Sequence, residues 1–342
     1  MKTGRNVMIT SNLGIGYPGK GRRNIILQNH LNLVLKTGEL VCLLGPNGCG
    51  KSTLIRTLSG FQPPLDGMVK IFDRVLTEMT PAEVSRSVSV TLTEPVDVGN
   101  MTVFAVVAFG RSPYTGFLGK LTHNDFEIIQ KSLENAGISH LHNRQFNLLS
   151  DGEKQKVMIA KSLAQETPLL LLDEPTAFLD FPSKIEILQL LRNAAWEQEK
   201  AILLTTHDLN LALKFADKIW LMGADMPVIT GVPEDLILKN EFGKYFNKEK
   251  TRFDILSGNF SFEVKEMGQV VVKGSGLKYD WMVKALQRKG FTVFTPENSS
   301  SDTLAIIKVN LENDDVFELK ISDRVYKINS IEELFEKMDF SV

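Results

Sequence analysis

The sequence predicts an α/β fold with a largely parallel sheet, followed by a smaller α+β unit, and three observations carry that prediction. Short apolar runs at 38–44, 169–172 and 201–206 are each followed by a segment whose apolar residues recur at helical spacing. That alternation builds parallel sheets covered by helices on both sides. The run Leu169–Leu172 is too apolar for an edge strand and reads as buried on both faces. After residue 249 the texture changes to short strands around one amphipathic helix, which marks a second unit.

In chain order, the strand at 38–44 enters a glycine-rich loop. STLIRTLSG then places Leu54 and Leu58 at helical spacing, with Gly60 closing the helix. A turn at Asp66–Gly67 leads into the strand MVKIF. The chain is mainly helical from Met101 to Gly137, broken at Ser112–Pro113, and another helix starts near Ser150. Helix 182–199, strand 201–206 and the helix DLNLALKFA complete two further β–α alternations. Beyond residue 249, FSFEV, QVVVK, FTVF, TLAIIKV, VFELKI and RVYKI read as strands. YDWMVKALQRKG reads as a helix with Trp281, Ala285 and Leu286 on its apolar face, and IEELFEKM as a short closing helix. GSGLKYD (274–280) has glycines without a complete phosphate pattern and reads as a turn. The expected domains are therefore 1–248, with a helical subdomain at about 95–165, and 249–342.

Of 342 residues, 43% are hydrophobic, enough for a packed core, and 39 basic against 41 acidic residues leave a net charge of −2. This balance argues against a nucleic-acid binder that relies on a broad basic field. No apolar run approaches the ~18 residues that span a bilayer, and the start lacks the apolar stretch of a secretory signal. Any membrane role is expected to be peripheral. Cys42 and Cys49 form neither a disulfide framework nor a metal-ligand spacing, so a reducing cytosol fits them. His140 and His142 have metal-like spacing but no third ligand nearby, and read as surface residues.

Gly45-Pro46-Asn47-Gly48-Cys49-Gly50-Lys51-Ser52 fits the pattern G-x-x-x-x-G-K-[ST] between a strand and a helix. The glycines let backbone N–H groups turn inward around phosphate oxygens, and the helix N-terminus adds positive potential. Lys51 is placed to neutralise the β- and γ-phosphates, Ser52 to ligate Mg²⁺, and Thr53 to steady the α-phosphate side. Leu169–Leu172 ends in Asp173–Glu174: the first acid can hold Mg²⁺ through water, the second can polarise the attacking water.

Between these motifs, Leu149-Ser150-Asp151-Gly152-Glu153 opens a helix. Here the chain resembles the ABC ATPases, P-loop NTPases whose signature at this place is LSGGQ. The resemblance spans nearly all of 1–248, including DEPTAFLD (173–180) and the histidine of TTHDL (205–209). It implies an ATPase that works with ATP and Mg²⁺ as a homodimer, two ATPs being sandwiched head to tail. Ser150, Gly152 and Glu153 of one subunit would then face the nucleotide held by the other. It further implies His207 as the γ-phosphate sensor, Asp180 as a residue that crosses the interface to the opposing phosphate loop, and Tyr17 as the aromatic that stacks on adenine.

Two departures from the family pattern bear on coupling. The signature reads LSDGE, and the added Asp151 carboxylate near a phosphate costs binding energy unless it points away or pairs with Lys154 or Lys156. Asp151 also suits a helix start. Register against the family puts Thr93 where a glutamine usually links Mg²⁺ to the transporter contact, with Glu94 as the other candidate.

The segment MTVFAVVAFGRSPYTGFLGKLT resembles the importer subfamily for iron–siderophores, haem and vitamin B12, in which this stretch docks the permease. It offers Met101, Val103, Phe104 and Phe109 as an apolar surface ended by Arg111–Pro113. The resemblance implies a homodimer beneath integral-membrane permease subunits, at the cytoplasmic face of the inner membrane. An extracytoplasmic binding protein would deliver the cargo, and no nucleic acid is involved. The alternatives are a soluble ABC protein of translation or DNA repair, disfavoured by the single set of motifs, and an exporter ATPase, disfavoured by GRSPYTG. The C-terminal unit lies outside the resemblance and reads as a dimerisation or stabilising appendage, or as a sensor of the transported ligand.

Overall fold

The computed structural model describes residues 4–19, 24–93, 98–116, 119–247, 251–255, 258–262, 265–295, 305–309, 317–321 and 324–339. It divides into two compact units, Met1–Ser261 and Phe262–Val342.

The first unit opens with an antiparallel sheet: β1 (Asn6–Tyr17), β2 (Ile25–Leu31), β3 (Val34–Lys36), β5 (Asp66–Ile71) and β6 (Arg74–Val75). This sheet accompanies the expected parallel one. Beside it lies a six-stranded sheet that includes β4 (Leu40–Leu44), β7 (Val88–Thr91), β8 (Leu169–Leu172), β9 (Ala201–Thr205), β10 (Lys218–Gly223) and β11 (Met226–Gly231). Its order is β11-β10-β4-β9-β8-β7, and every pairing except that of β11 is parallel. Strands β4, β8 and β9 are buried along their whole length, as continuous apolar runs require when both faces are covered.

The helices of this unit are α1 (Lys51–Leu58), α2 (Pro81–Ser87), α3 (Val103–Ala108), α4 (His123–Asn135), α5 (Asp151–Ala164), α6 (Phe181–Glu197), α7 (Leu209–Phe215), α8 (Pro233–Leu238) and α9 (Glu241–Phe246). Reciprocal capping boxes start α2 (Thr80 with Glu83), α4 (Thr122 with Asp125) and α5 (Ser150 with Glu153), each satisfying two otherwise orphaned N–H groups. Gly60 follows α1 at φ +79°, the left-handed conformation that ends a helix. Helices α3, α4 and α5 share their own core of Val103, Val106, Val107, Ile129, Leu133 and Val157. Val103 is thus core, and Phe104 stacks on Phe126 at 5.7 Å, whereas Met101 and Phe109 stay exposed. Of the segment expected to dock a permease, only part is therefore surface, and Phe117 and Leu118 lie outside the described residues.

The hairpin β12 (Thr251–Asp254) and β13 (Asn259–Phe262) packs Phe253 and Phe260 into the core beneath the six-stranded sheet. Residues up to Ser261 thus belong to the first unit, thirteen beyond the boundary expected at 248. Aromatic packing decides this, since nothing in the local strand pattern assigns the hairpin to one core or the other.

The second unit has a five-stranded sheet in the order β15-β14-β16-β17-β18. Its strands are β14 (Gly268–Lys273), β15 (Phe291–Phe294), β16 (Ala305–Val309), β17 (Phe317–Ile321) and β18 (Arg324–Ile328). Helix α10 (Leu277–Arg288) crosses between parallel β14 and β15, and α11 (Ile331–Asp339) follows β18. Their core joins Val270, Val272, Met282, Leu286, Ile307 and Leu334. Two expectations fail here. GSGLKYD is not all turn, because α10 starts at Leu277 behind Gly276. Trp281 is not core: it is 58% exposed beside Lys284, and Met282 takes the inward place. Among the described residues no helix is long and apolar enough to cross a membrane.

Candidate nucleotide-binding site

Strand register gathers the predicted residues at one end of the parallel sheet. Thr91 pairs with Leu172, Leu172 with Leu204, and Leu43 with Thr205, so the loops after β7, β8, β9 and β4 emerge side by side. Ligands bind at such carboxyl ends in open α/β sheets.

The loop after β4 is the candidate phosphate cradle. Gly45 admits no side chain, because a Cβ there would stand 2.1 Å from the Met222 carbonyl oxygen. Gly50 precedes α1 at φ +107° without a side-chain cap, and no acid occupies the first turn. The N-terminal amides therefore face outward for an anion. Lys51 is buried, and its Nζ donates to the carbonyls of Gly45 (2.9 Å) and Pro46 (3.1 Å). Burial lowers its pKa, and nearby Cys49 and the acids Glu174 and Asp173 act in the opposite sense. Ser52 is exposed beside it. Tyr17, half exposed at the end of β1, shares a 2.9 Å hydrogen bond between its hydroxyl and that of Thr53. Cys42 and Cys49 are free and buried, with burial pushing the Cys42 thiol up to about 12.

Asp173 is buried, and its Oδ1 accepts from the Thr205 hydroxyl at 2.7 Å. The same Thr205 oxygen accepts from the Glu174 N–H at 2.8 Å. Glu174 sits at φ +50°, a strained conformation for a side-chain-bearing residue, and its Oε1 reaches His207 Nε2 at 2.5 Å. Thr93 donates its hydroxyl to the Asp173 carbonyl at 2.9 Å, which leaves its lone pairs free. Glu94 lies outside the described residues. Sequence reasoning quoted Thr205 without giving it a role. Its signal is a polar residue ending a wholly apolar strand, which must find partners when buried.

A cavity of about 310 Å³ brings Thr93, Asp173 and Glu174 together with Asp151 and Lys154 at the start of α5. Asp151 pairs with Lys154 at 3.6 Å, while Lys156 pairs with Glu186. The Glu153 carboxylate accepts from the Ser150 N–H and hydroxyl, and the backbone bond lowers its pKa. Ser150 must turn its hydroxyl away from Glu153 before it can donate to a phosphate. Gly152 lies close to Ser183, whose hydroxyl a Cβ would meet at 3.1 Å. Asp180 caps α6 through the Ser183 N–H, and the hydrogen bonds from Ser183 hold its carboxyl below the usual range. His140 and His142 are exposed, and among the described residues no group of three His, Cys, Asp or Glu side chains could hold a metal ion.

Comparison with known proteins shows the family. Residues 28–177 match the family described as ABC transporter, and residues 267–339 match the one described as Iron ABC transporter C-terminal domain. An uncharacterized ABC transporter ATP-binding protein of Methanocaldococcus jannaschii is 38% identical over 270 residues, covering 78% of this chain and 91% of the relative. The iron(3+)-hydroxamate import ATP-binding protein FhuC of Bacillus subtilis is 38% identical over 62% of this chain and 77% of its own length. A solved dimer of the bacterial ABC transporter cassette MJ0796 aligns with a TM-score of 0.55 and 26% identity, covering 63% of this chain and 94% of that one.

Proposed function

Because this chain belongs to the ABC transporter family, whose activity is ATP hydrolysis, we propose that it is the motor subunit of an importer that takes up an iron–siderophore complex. The contact between Glu174 and His207, beside the phosphate cradle and Asp173, carries the catalytic part of this reading. The match of residues 267–339 supports iron over a corrinoid as cargo, and the likeness to the hydroxamate importer subunit supports a siderophore complex over haem.

ATP phosphates lie against the amides at the start of α1, and Lys51 leaves the Gly45 and Pro46 carbonyls to meet the β- and γ-phosphates. Glu174 polarises the attacking water, and His207 contacts the γ-phosphate, coupled to Glu174 through their hydrogen bond. The oxygen donors Ser52, Asp173 and Thr93 suit Mg²⁺, since Asp173 keeps one carboxylate oxygen beyond its bond to Thr205. When bound, Mg²⁺ neutralises developing phosphate charge. Tyr17 lies close enough to the cradle to stack on adenine once its hydroxyl leaves Thr53.

Two copies close on two nucleotides, with Ser150 and Gly152 of one copy facing the γ-phosphate held by the other and Asp180 crossing the interface. The permease docks a cytoplasmic segment into an apolar cleft of about 530 Å³, lined by Phe61, Pro63, Leu76, Met79, Val84 and Val90. Phe61 stands 66% exposed at its rim. The motor works at the cytoplasmic face of the membrane.

Uptake of labelled ferric hydroxamate and catecholate complexes, haem and cobalamin by cells lacking the chain tests the reading. Loss of ferric siderophore uptake, restored by the wild type and not by Glu174→Gln, is the expected result. Unchanged uptake of every ferric complex, or loss confined to haem or cobalamin, refutes the cargo assignment.

A further inference from the structure

The hairpin β12–β13 packs against α7, the helix that follows His207. Asp208 caps α7 by accepting from the Leu211 N–H at 3.2 Å, so His207 stands immediately before the first turn. Leu209 and Leu213 of α7 pack, partly buried, into the same core cluster as Phe253 and Phe260. Gly258, at φ +66°, runs close to α7: a Cβ there would meet Leu213 Cδ1 at 3.8 Å. Phe260 is held by other rings. Its centroid lies 5.4 Å from that of Phe253 and 5.8 Å from that of Phe246, both edge-on, and Phe253 leans on the fully buried Phe242 at 5.2 Å. Asn259 and Phe260 line a cavity of about 480 Å³ together with Lys184, His207, Asp208, Leu209 and Asn210.

We propose that Phe260 is a positioning residue for His207, an inference that rests on the reading of His207 as the γ-phosphate contact. Helix α7 has seven residues, too few to hold its own geometry without packing. The position of its first turn therefore depends on what lies beside it. On one side, Lys184 pairs with Asp208 at 3.5 Å. On another, Phe260 lines the same cavity as residues 207–210. Fixed between these, His207, 44% exposed, reaches Glu174. Removing the ring opens space into which the loop relaxes, and displacing a catalytic contact slows the chemical step more than it weakens binding.

The test compares His207→Ala, Phe260→Ala and Phe260→Leu in the full-length chain, at a temperature where circular dichroism shows all three folded. Phe260→Ala is expected to lower kcat about tenfold with KM for ATP changed less than about twofold, and Phe260→Leu to restore most of the loss. Wild-type kcat in Phe260→Ala, with His207→Ala impaired, overturns the proposal and leaves the role of His207 standing. Wild-type kcat in His207→Ala overturns that role and the proposal with it. A loss in Phe260→Ala that falls on KM rather than kcat, or that Phe260→Leu does not relieve, also overturns the proposal.

Discussion

Thr205 Oγ1 donates to Asp173 Oδ1 at 2.7 Å while accepting from the backbone N–H next in line, that of Glu174, at 2.8 Å. One hydroxyl thus uses its proton and a lone pair to hold both acids of the site, from a strand that neighbours theirs. Thr205 is fully buried, so neither bond can be replaced by water. Thr205→Val keeps the shape and removes both bonds. It is expected to cost about 1–3 kcal/mol in urea unfolding and to lower ATP turnover. Turnover at the wild-type rate would show that the acids hold their places without it.

Glu174→Gln preserves size and hydrogen bonding but removes the carboxylate proposed as base. Turnover is expected to fall by about 10²–10⁴-fold with ATP affinity retained, as read by steady-state hydrolysis beside fluorescent-nucleotide binding. Retained turnover would end the assignment of Glu174 as base.

Arg111, expected at the end of a docking surface, is buried instead, with Nε on Asp125 at 2.8 Å and Nη1 on Glu166 at 2.9 Å. It also lies 4.1 Å from the Tyr114 ring. Arg111→Ala leaves the Asp125 carboxylate buried beside an empty place, and is expected to destabilise the helical subdomain by about 3–5 kcal/mol. Hydrogen bonds from the Thr122 hydroxyl and N–H, then from Arg111, hold Asp125 near a pKa of about 2, below its ordinary 3.8. A carboxyl depressed on folding stabilises the native state above its unfolded pKa. That contribution is lost as pH falls from the ordinary value through the folded one. Stability should therefore drop between about pH 4 and pH 2, with a shallower slope in Asp125→Asn; equal slopes in denaturant titrations would remove Asp125 as the cause.

Exposed Asp151 and half-buried Lys154 pair at 3.6 Å, a geometry worth less than about 1 kcal/mol to folding. Their effect is expected on nucleotide instead. In a Glu174→Gln background, Asp151→Gly should strengthen ATP-driven dimerisation in light scattering, most clearly at low salt, because it removes a negative charge from the helix start proposed to meet the other copy's γ-phosphate. Unchanged dimerisation would show that Lys154 already cancels that charge.

The chemistry was largely legible in the sequence because it is local. A phosphate loop needs its glycines, lysine and serine within eight consecutive positions. Asp173 and Glu174 announce themselves as charges at the end of a strand with no other polar residue. The capping box at Ser150 and Glu153 is likewise a four-residue pattern, and α5 starts where it predicts. Such patterns work because backbone geometry alone brings near neighbours into contact.

What only the tertiary structure decided involves residues far apart in the chain. Arg111 reads as the end of a surface helix until Asp125 and Glu166 close around it. Trp281 and Met282 are adjacent and both apolar, and packing alone chose Met282 for the core. The place of the β12–β13 hairpin follows from Phe253 and Phe260 meeting Phe242 and Phe246. The sequence by itself determined the α/β class and picked out the candidate reacting groups, which follow from short-range periodicity and spacing. Which apolar surface is buried, and which charge finds its partner, depends on long-range burial, where many residues with the same local preference compete for one place.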